Sequence, residues 1–317
     1  MQIERKQKAY FMVLKHFLRM ILTAGILLFS IACESEDSGK TPPTHFVGVL
    51  NVDGRDRTYI LNVPGTTSAG EKLPLVFMFH GTGGNASQAE RDYAWTDKSS
   101  QENFIVVYPE GVAGDGRFGV RTWNAGRCCQ YAMENNIDDV KFVNELLTYM
   151  IENYPVDETK VYAAGMSNGA MLVYRLACEL PGKFAAFASV SGTMMLNEPC
   201  AAARTPPFLQ IHSTTDTKIP FAGGKGLGGY NFAPVDSAVN VIKAINGCTN
   251  WTVSEHPGYS HHQASDCNTA VPLEMYLLSD GGHSWPGGRK STARSDTPSE
   301  AINATEVIWK FFNEHQR

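Results

Sequence analysis

The stretch Val161-Tyr162-Ala163-Ala164-Gly165-Met166-Ser167-Asn168-Gly169, followed by the apolar run 170–180, decides the fold. Residues 161–164 read as a short buried strand and 170–180 as an apolar helix, so Ser167 sits at the turn between them. Gly-x-Ser-x-Gly in that setting reads as a nucleophile elbow. The turn is tight enough that side chains at its two flanking positions would collide, which calls for glycine, and it lifts the serine oxygen above the sheet. The helix that follows points its amide dipoles at the place where negative charge would develop. The motif alone is common; its strand and helix context makes it specific.

Working outward, further apolar strand candidates at 73–79, 104–108, 187–190, 208–212 and 273–278 are separated by longer helical stretches. That alternation implies the α/β class, a mostly parallel sheet covered by helices on both faces. With the elbow it implies an α/β-hydrolase fold. Segments 45–52 and 57–63 flank Asp53-Gly54 and predict an N-terminal antiparallel hairpin. Asp138 or Asp139 caps a helix to about Asn153, with Val140, Val143, Leu146, Leu147 and Met150 at helical spacing. Thr297-Pro298-Ser299-Glu300 reads as a capping box that opens a closing helix.

A serine hydroxyl is a weak nucleophile at neutral pH and needs a base held by a carboxylate, here in the chain order Ser, Asp, His. Strand 208–212 runs into Ser213-Thr214-Thr215-Asp216, and strand 273–278 into Ser279-Asp280-Gly281-Gly282-His283, so both groups fall at the carboxyl edge of the sheet. Asp280 reads as a turn former, Asp266 lies in a cysteine-bounded loop, and His212 reads as a structural partner of the Asp216 loop. His256, His261 and His262 fall in a polar segment. The assignment is Ser167 nucleophile, His283 base and Asp216 acid. His80-Gly81-Thr82-Gly83-Gly84-Asn85 follows the strand 73–79, and its glycines let backbone amides approach a substrate oxygen; the Thr82 and Asn168 N–H groups form the expected oxyanion hole. Trp123, Trp285 and Tyr108 are the expected aromatic wall for a phenolic acyl group or sugar, although the two tryptophans read equally well as packed core.

The N-terminus carries Arg5, Lys6, Lys8, Lys15 and Arg19, then an apolar run 21–32, then Cys33 and an acidic stretch. This order predicts a signal peptide over 1–32. Phe-Ser-Ile-Ala-Cys resembles a lipobox with Cys33 as the lipidated residue and 33–44 as a Ser-, Pro- and Gly-rich tether to a catalytic domain 45–317. The expected location is the outer membrane or cell surface, held by the Cys33 lipid, or otherwise secreted. Removing 1–32 takes five basic residues and one acidic residue and moves the net charge from −5 to −9, which argues against nucleic acid. Besides the lipidated Cys33, six cysteines remain, an even number that reads as disulfides, with 15 pairings open. No Cys-x-x-Cys or His-x-x-x-His spacing supports a metal site, and acyl transfer of this kind needs no cofactor.

The chain carries His80-Gly81-Thr82-Gly83-Gly84, Tyr108-Pro109-Glu110-Gly111, Trp123-Asn124-Ala125-Gly126-Arg127-Cys128-Cys129, Asp138-Asp139-Val140, the elbow, and Gly282-His283-Ser284-Trp285-Pro286-Gly287. On these motifs it resembles the esterase family that includes polyhydroxybutyrate depolymerases and bacterial feruloyl and acetylxylan esterases, sometimes called LpqC-like lipoproteins. The resemblance implies the same triad, a Cys248–Cys267 disulfide, and separate pairing of Cys128 and Cys129 with Cys178 and Cys200. One departure is Ser213 after His212, where the family usually has glycine. The implied activity is ester hydrolysis through an acyl-enzyme, of feruloyl or acetyl groups on plant polysaccharide. Short polyester is the alternative substrate, and a non-catalytic glycan-binding surface lipoprotein is the alternative of another class. A serine peptidase would share the triad. Depolymerases of crystalline polyester usually carry an added binding module, whereas this chain ends one helix after His283, which points the expectation toward a soluble or polysaccharide ester.

Overall fold

In the computed structural model, which describes residues 44–65, 70–268 and 271–317, the run Leu73–Phe79 (β3) is buried at every position but Pro74. Leu75, Phe77 and Phe79 enter one apolar cluster, while Val76 and Met78 enter another on the opposite face. A strand covered on both faces needs a continuous apolar run, and this one has it.

β3 lies between β4 (Ile105–Pro109) and β7 (Val156–Met166), parallel to both. β8 (Ala186–Val190), β9 (Phe208–Ser213) and β14 (Leu273–Leu278) extend the parallel set. β1 (Thr44–Val52) and β2 (Arg55–Val63) add an antiparallel hairpin at one edge. At the other edge, β12 (Cys248–His256) and β13 (Tyr259–Cys267) add a second one. The order is β1-β2-β4-β3-β7-β8-β9-β14-β13-β12. Two short hairpins, β5 (Val112–Ala113) with β6 (Arg121–Thr122) and β10 (Gly224–Lys225) with β11 (Asn231–Phe232), lie in the loops after β4 and β9.

The helices are α1 (Ala86–Tyr93), α2 (Trp95–Glu102), α3 (Gln130–Glu134), α4 (Asp139–Asn153), α5 (Asn168–Glu179), α6 (Val235–Ile245) and α7 (Ala304–Asn313). α4, α5 and α6 supply the cluster around Leu75, and α1, α2 and α7 the one around Val76. Thus helices cover both faces. Asp138 caps α4 by accepting from the Lys141 N–H. Phe312 and Trp309 dock α7 by stacking on Tyr162 and Phe104, at centroid distances of 4.8 and 4.0 Å.

Strand order reverses between β3 and β7, so the loops that leave these two strands lie side by side at the carboxyl edge. Ligand sites of open α/β sheets form at such a point.

The structure departs from the expected elements in three places. The closing helix begins at Ala304 with Asn303 as its cap, not at the Thr297 capping box; the Ser299 carbonyl accepts from Gly287 N–H and its hydroxyl goes to Asp280, so this segment binds the loop after His283 instead of winding. β12 and β13 were not expected; most of their side chains are exposed or half-buried on both faces, so no apolar alternation marks them. The third departure concerns the cysteines. Cys248 and Cys267 pair as expected and face each other across β12 and β13. Cys178 and Cys200 are joined to each other, however, with Cα atoms 5.3 Å apart, and Cys128 is joined to Cys129. The expected pairing of Cys128 and Cys129 with Cys178 and Cys200 is not formed. Each sulfur already has its partner in these two bridges, so none is left for a cross-pair. The expected signal peptide, Cys33 and all but the last residue of the tether lie outside the described residues.

Candidate active site

The geometry of the elbow is set by the two glycines that flank the serine. A side chain on Gly169 would meet the carbonyl oxygens of His80 and Phe79 at 2.5 and 2.6 Å, and one on Gly165 would meet the Gly169 carbonyl at 2.5 Å. Without side chains there, α5 can press against the end of β3. Ser167 takes φ 56° and ψ −119°, a conformation that costs about 1–3 kcal/mol for a residue with a side chain. Its neighbours hold it there: its N–H donates to Val190 O and its carbonyl accepts the Met171 N–H.

Asp216 and His283 leave the carboxyl ends of the neighbouring strands β9 and β14 and meet Ser167 in a line. His283 Nδ1 is 2.7 Å from Asp216 Oδ2, and His283 Nε2 is 2.8 Å from Ser167 Oγ. A carboxylate only accepts, so Nδ1 carries the ring proton and Nε2 offers its lone pair to the serine hydroxyl. The other carboxylate oxygen, Asp216 Oδ1, accepts from the Lys218 and Ile219 N–H groups, both at 2.8 Å, which fixes its plane. Burial pushes the Asp216 carboxyl up, but the hydrogen bond and charge of His283, with His212 and the Ile219 N–H, outweigh it and hold it below its ordinary value. The carboxylate therefore stays charged opposite the imidazole.

The rival groups are engaged elsewhere. Asp280 accepts from Ser299 Oγ, Asp266 from the Asn250 side chain, and buried His212 donates from Nε2 to Ile219 O at 2.9 Å, within the Asp216 loop.

The expected oxyanion donors flank the serine. Asn168 opens α5, where backbone N–H groups lack helical acceptors, and among the described residues neither its N–H nor that of Thr82 has a protein acceptor. Their aim is built from the residues around them. Gly111 N–H donates to His80 Nε2 at 3.0 Å, so the proton of this buried imidazole sits on Nδ1, which donates to Gly81 O at 2.7 Å. The N–H of a trans peptide points opposite to its C=O, so anchoring the Gly81 carbonyl aims the Thr82 N–H. Burial lowers His80 to about 4, which keeps it neutral in this role.

Of the expected aromatic wall, only Trp285 borders the cleft, and its ring stacks on Tyr93 at 4.6 Å. Trp123 and Tyr108 are fully buried, which corrects their assignment as substrate contacts. Each spends its polar atom inside the protein: Tyr108 on Thr96, and the Trp123 indole N–H on His80 O at 2.9 Å. The Asn168 side chain accepts from Trp123 N–H at 2.7 Å and donates to Trp123 O at 3.0 Å. Trp123 thereby ties the loop of one expected oxyanion donor to the helix of the other. Below it, Asp139 accepts from Arg57 at 2.6 Å and from Asn124 N–H at 2.7 Å in a buried ion pair at the start of α4.

The sequence reading missed Asp296, which accepts the backbone N–H of His283 at 2.8 Å and faces Lys218 at 3.3 Å. It lies in an exposed polar loop, and no motif marks it. Two recesses open at Ser167. A cleft of about 330 Å³ is lined on the His283 side by Trp285, Gln88, Arg289, Ser291 and Thr292, and a pocket of about 20 Å³ lies over Met171, Ile219 and Phe232.

A family model described as "Esterase PHB depolymerase" matches residues 57–216. "Probable feruloyl esterase C" of Aspergillus flavus is 28% identical over 314 residues, 95% of this chain and 99% of that protein. Feruloyl esterase B of Piromyces equi is 26% identical over 241 residues, which are 74% of this chain and 44% of that longer protein. Among solved structures, an acetyl xylan esterase from Aspergillus awamori superposes with a TM-score of 0.60 at 16% identity, over 84% of this chain and 99% of that one, a likeness of fold. The family match spans half of the chain, from Arg57 on β2 through the elbow to Asp216, so this α/β-hydrolase-fold protein belongs to the esterase PHB depolymerase family.

Proposed function

We propose that this esterase cleaves carboxylic esters through an acyl-enzyme on Ser167, with acyl groups of plant polysaccharide as its substrates, and that it works after export as a Cys33-linked lipoprotein. The observation that carries the chemistry is the unbroken line Asp216, His283, Ser167 beside two free backbone donors. Ser167 Oγ attacks the ester carbon while its proton passes to His283 Nε2, and the carbonyl oxygen, now negative, takes hydrogen bonds from the Thr82 and Asn168 N–H groups. His283 then returns the proton to the departing alkoxide, which leaves as the alcohol. Water repeats the sequence on the acyl-serine and releases the acid.

The polysaccharide reading draws on the similarity to feruloyl esterases B and C and on the hydroxyl-rich lining of the cleft next to His283. Export is supported by three disulfides among the described residues, a load expected in an oxidising compartment.

The test is turnover of acetylated xylan, methyl ferulate, short 4-nitrophenyl esters and polyhydroxybutyrate. Ser167→Ala is expected to lower kcat by about a million-fold. Asp216→Asn should cost about ten-thousand-fold by disturbing the imidazole tautomer, and Asp280→Asn little. Ser167→Ala retaining more than a few percent of activity would overturn the assignment.

A further inference from the structure

Resting on the reading of Ser167 as nucleophile and His283 as base, the leaving oxygen of the ester takes its proton from His283 Nε2, so the alcohol part of the substrate lies in the cleft on the His283 side. The stretch 287–298 supplies much of that wall, and it holds Arg289, Lys290 and Arg294 against one carboxylate, Asp296. The chain as a whole has a net charge of −5, so this rim runs against the overall sign.

Two of the nearby cations, Lys218 and Arg289, line the cleft itself. Lys218 is matched by Asp296 at 3.3 Å, through the same oxygen that accepts His283 N–H. Arg289 is exposed, and among the described residues no carboxylate pairs with it. Its backbone N–H donates to Asp92 O at 2.9 Å. The Asp92 carboxylate, however, is spent on Arg91, at 2.8 and 3.0 Å, and on Gln88, at 2.9 Å. The backbone beneath the arginine is held as well: Gly288 N–H donates to Trp285 O at 3.0 Å, and a side chain on Gly288 would meet Asp92 O at 2.6 Å, so the loop is pressed against α1. The root of Arg289 is fixed while its charge stays unmatched. Its neighbours on this wall, Ser291 and Thr292, bring neutral hydroxyls.

A guanidinium offers its N–H groups as a planar fork that fits a carboxylate through two parallel hydrogen bonds. We infer that Arg289 makes the alcohol side of this site selective for carboxylate-bearing alcohols, the class that uronic acid residues represent in plant polysaccharide. The ester bond is cut by the same chemistry; the charge beside it sets how tightly the substrate is held. An exposed pair of this kind is worth about fivefold at most and is screened by salt.

The experiment varies the charge of the alcohol part. kcat and KM are measured for the acetate and ferulate esters of 3-hydroxybenzoate and of its neutral counterpart 3-hydroxybenzamide, each normalised to its spontaneous hydrolysis, with the native protein, Arg289→Gln and Ser167→Ala. Two acyl groups keep acyl preference out of the comparison. The benzoate ester should exceed the benzamide ester by about three- to fivefold in kcat/KM at about 10 mM salt, mainly through KM, and the ratio should approach one in about 0.5 M salt. In Arg289→Gln the ratio should be close to one at both salt concentrations, and if that variant does not fold, the salt dependence of the native ratio decides alone. A native ratio near one at low salt, or an advantage that survives in Arg289→Gln, would overturn the inference; hydrolysis that Ser167→Ala abolishes would leave the esterase mechanism standing. If the native protein cleaves none of the esters faster than Ser167→Ala, the mechanism fails and the inference with it.

Discussion

At the scale of single residues, two buried imidazoles beside the candidate triad are kept neutral, and each braces a loop. His80 and His212 each hold a loop by donating to a backbone carbonyl, and each has its pKa lowered first of all by burial, His80 to about 4. In the unfolded chain both would take up a proton near pH 6.5. Above that pH neither state is protonated and the shift contributes nothing. Between about 6.5 and 4 the unfolded chain binds more protons than the folded one, so stability falls as pH drops, for His80 by about 3 kcal/mol in all. Asp216 acts in a lower window: its depressed pKa stabilises the fold above the ordinary carboxylate value, and that contribution is lost as pH falls below about 4. Urea unfolding followed from pH 7.5 to 4.5 should show stability declining by at least about one proton's slope, and a flat profile would show that the two histidines titrate as they would in water. The candidates Ser167, Asp216 and His283 were legible because each follows closely on the end of an apolar strand. Asp296 was not, because its role depends on where an exposed loop returns in space.

At the scale of elements, the two donors beside Ser167 are set by different segments, the loop after β3 and the start of α5, and Trp123 joins them. Trp123→Phe keeps the ring packing but removes the N–H that His80 O accepts. It is expected to cost about 1–3 kcal/mol of stability and, by letting the Thr82 donor drift, to lower kcat by about 10- to 100-fold with little change in KM. Loss of stability with unchanged kcat would reduce Trp123 to a packing residue. In sequence this tryptophan read equally well as a substrate contact or as packed core, since a large aromatic in a Gly- and Cys-rich loop carries no mark of which side it faces. The Cys248–Cys267 bridge closes the outer end of β12 and β13, while the opposite end of β13, at Tyr259, pairs with Leu278 close to His283. Replacing both cysteines with alanine should lower the melting temperature through loss of about 3 kcal/mol. Activity below the new midpoint should stay intact, because β9 still holds β14 directly. A parallel loss of kcat at low temperature would show that the strain reaches the base.

At the scale of the whole molecule, six parallel strands carry the chemistry at one edge and the added hairpins extend the sheet on both sides. The parallel centre was legible because strands such as β3 and β4 are buried on both faces and so read as apolar runs. The outer hairpin β12–β13 was not, because a mostly exposed pair is held by backbone hydrogen bonds and its polar side chains carry no period. The small pocket beside Ser167 was also beyond the sequence, since Met171, Ile219 and Phe232 come from three separate elements and meet only after folding. All of this architecture converges on one oxygen atom made nucleophilic by its neighbours. Intact mass and peptide mapping after a brief exposure to a fluorophosphonate test that claim directly. The expected result is a single adduct on Ser167 in the native protein, absent in Ser167→Ala and strongly slowed in His283→Ala; an adduct on another residue, or labelling of Ser167 that proceeds equally fast without His283, would contradict it.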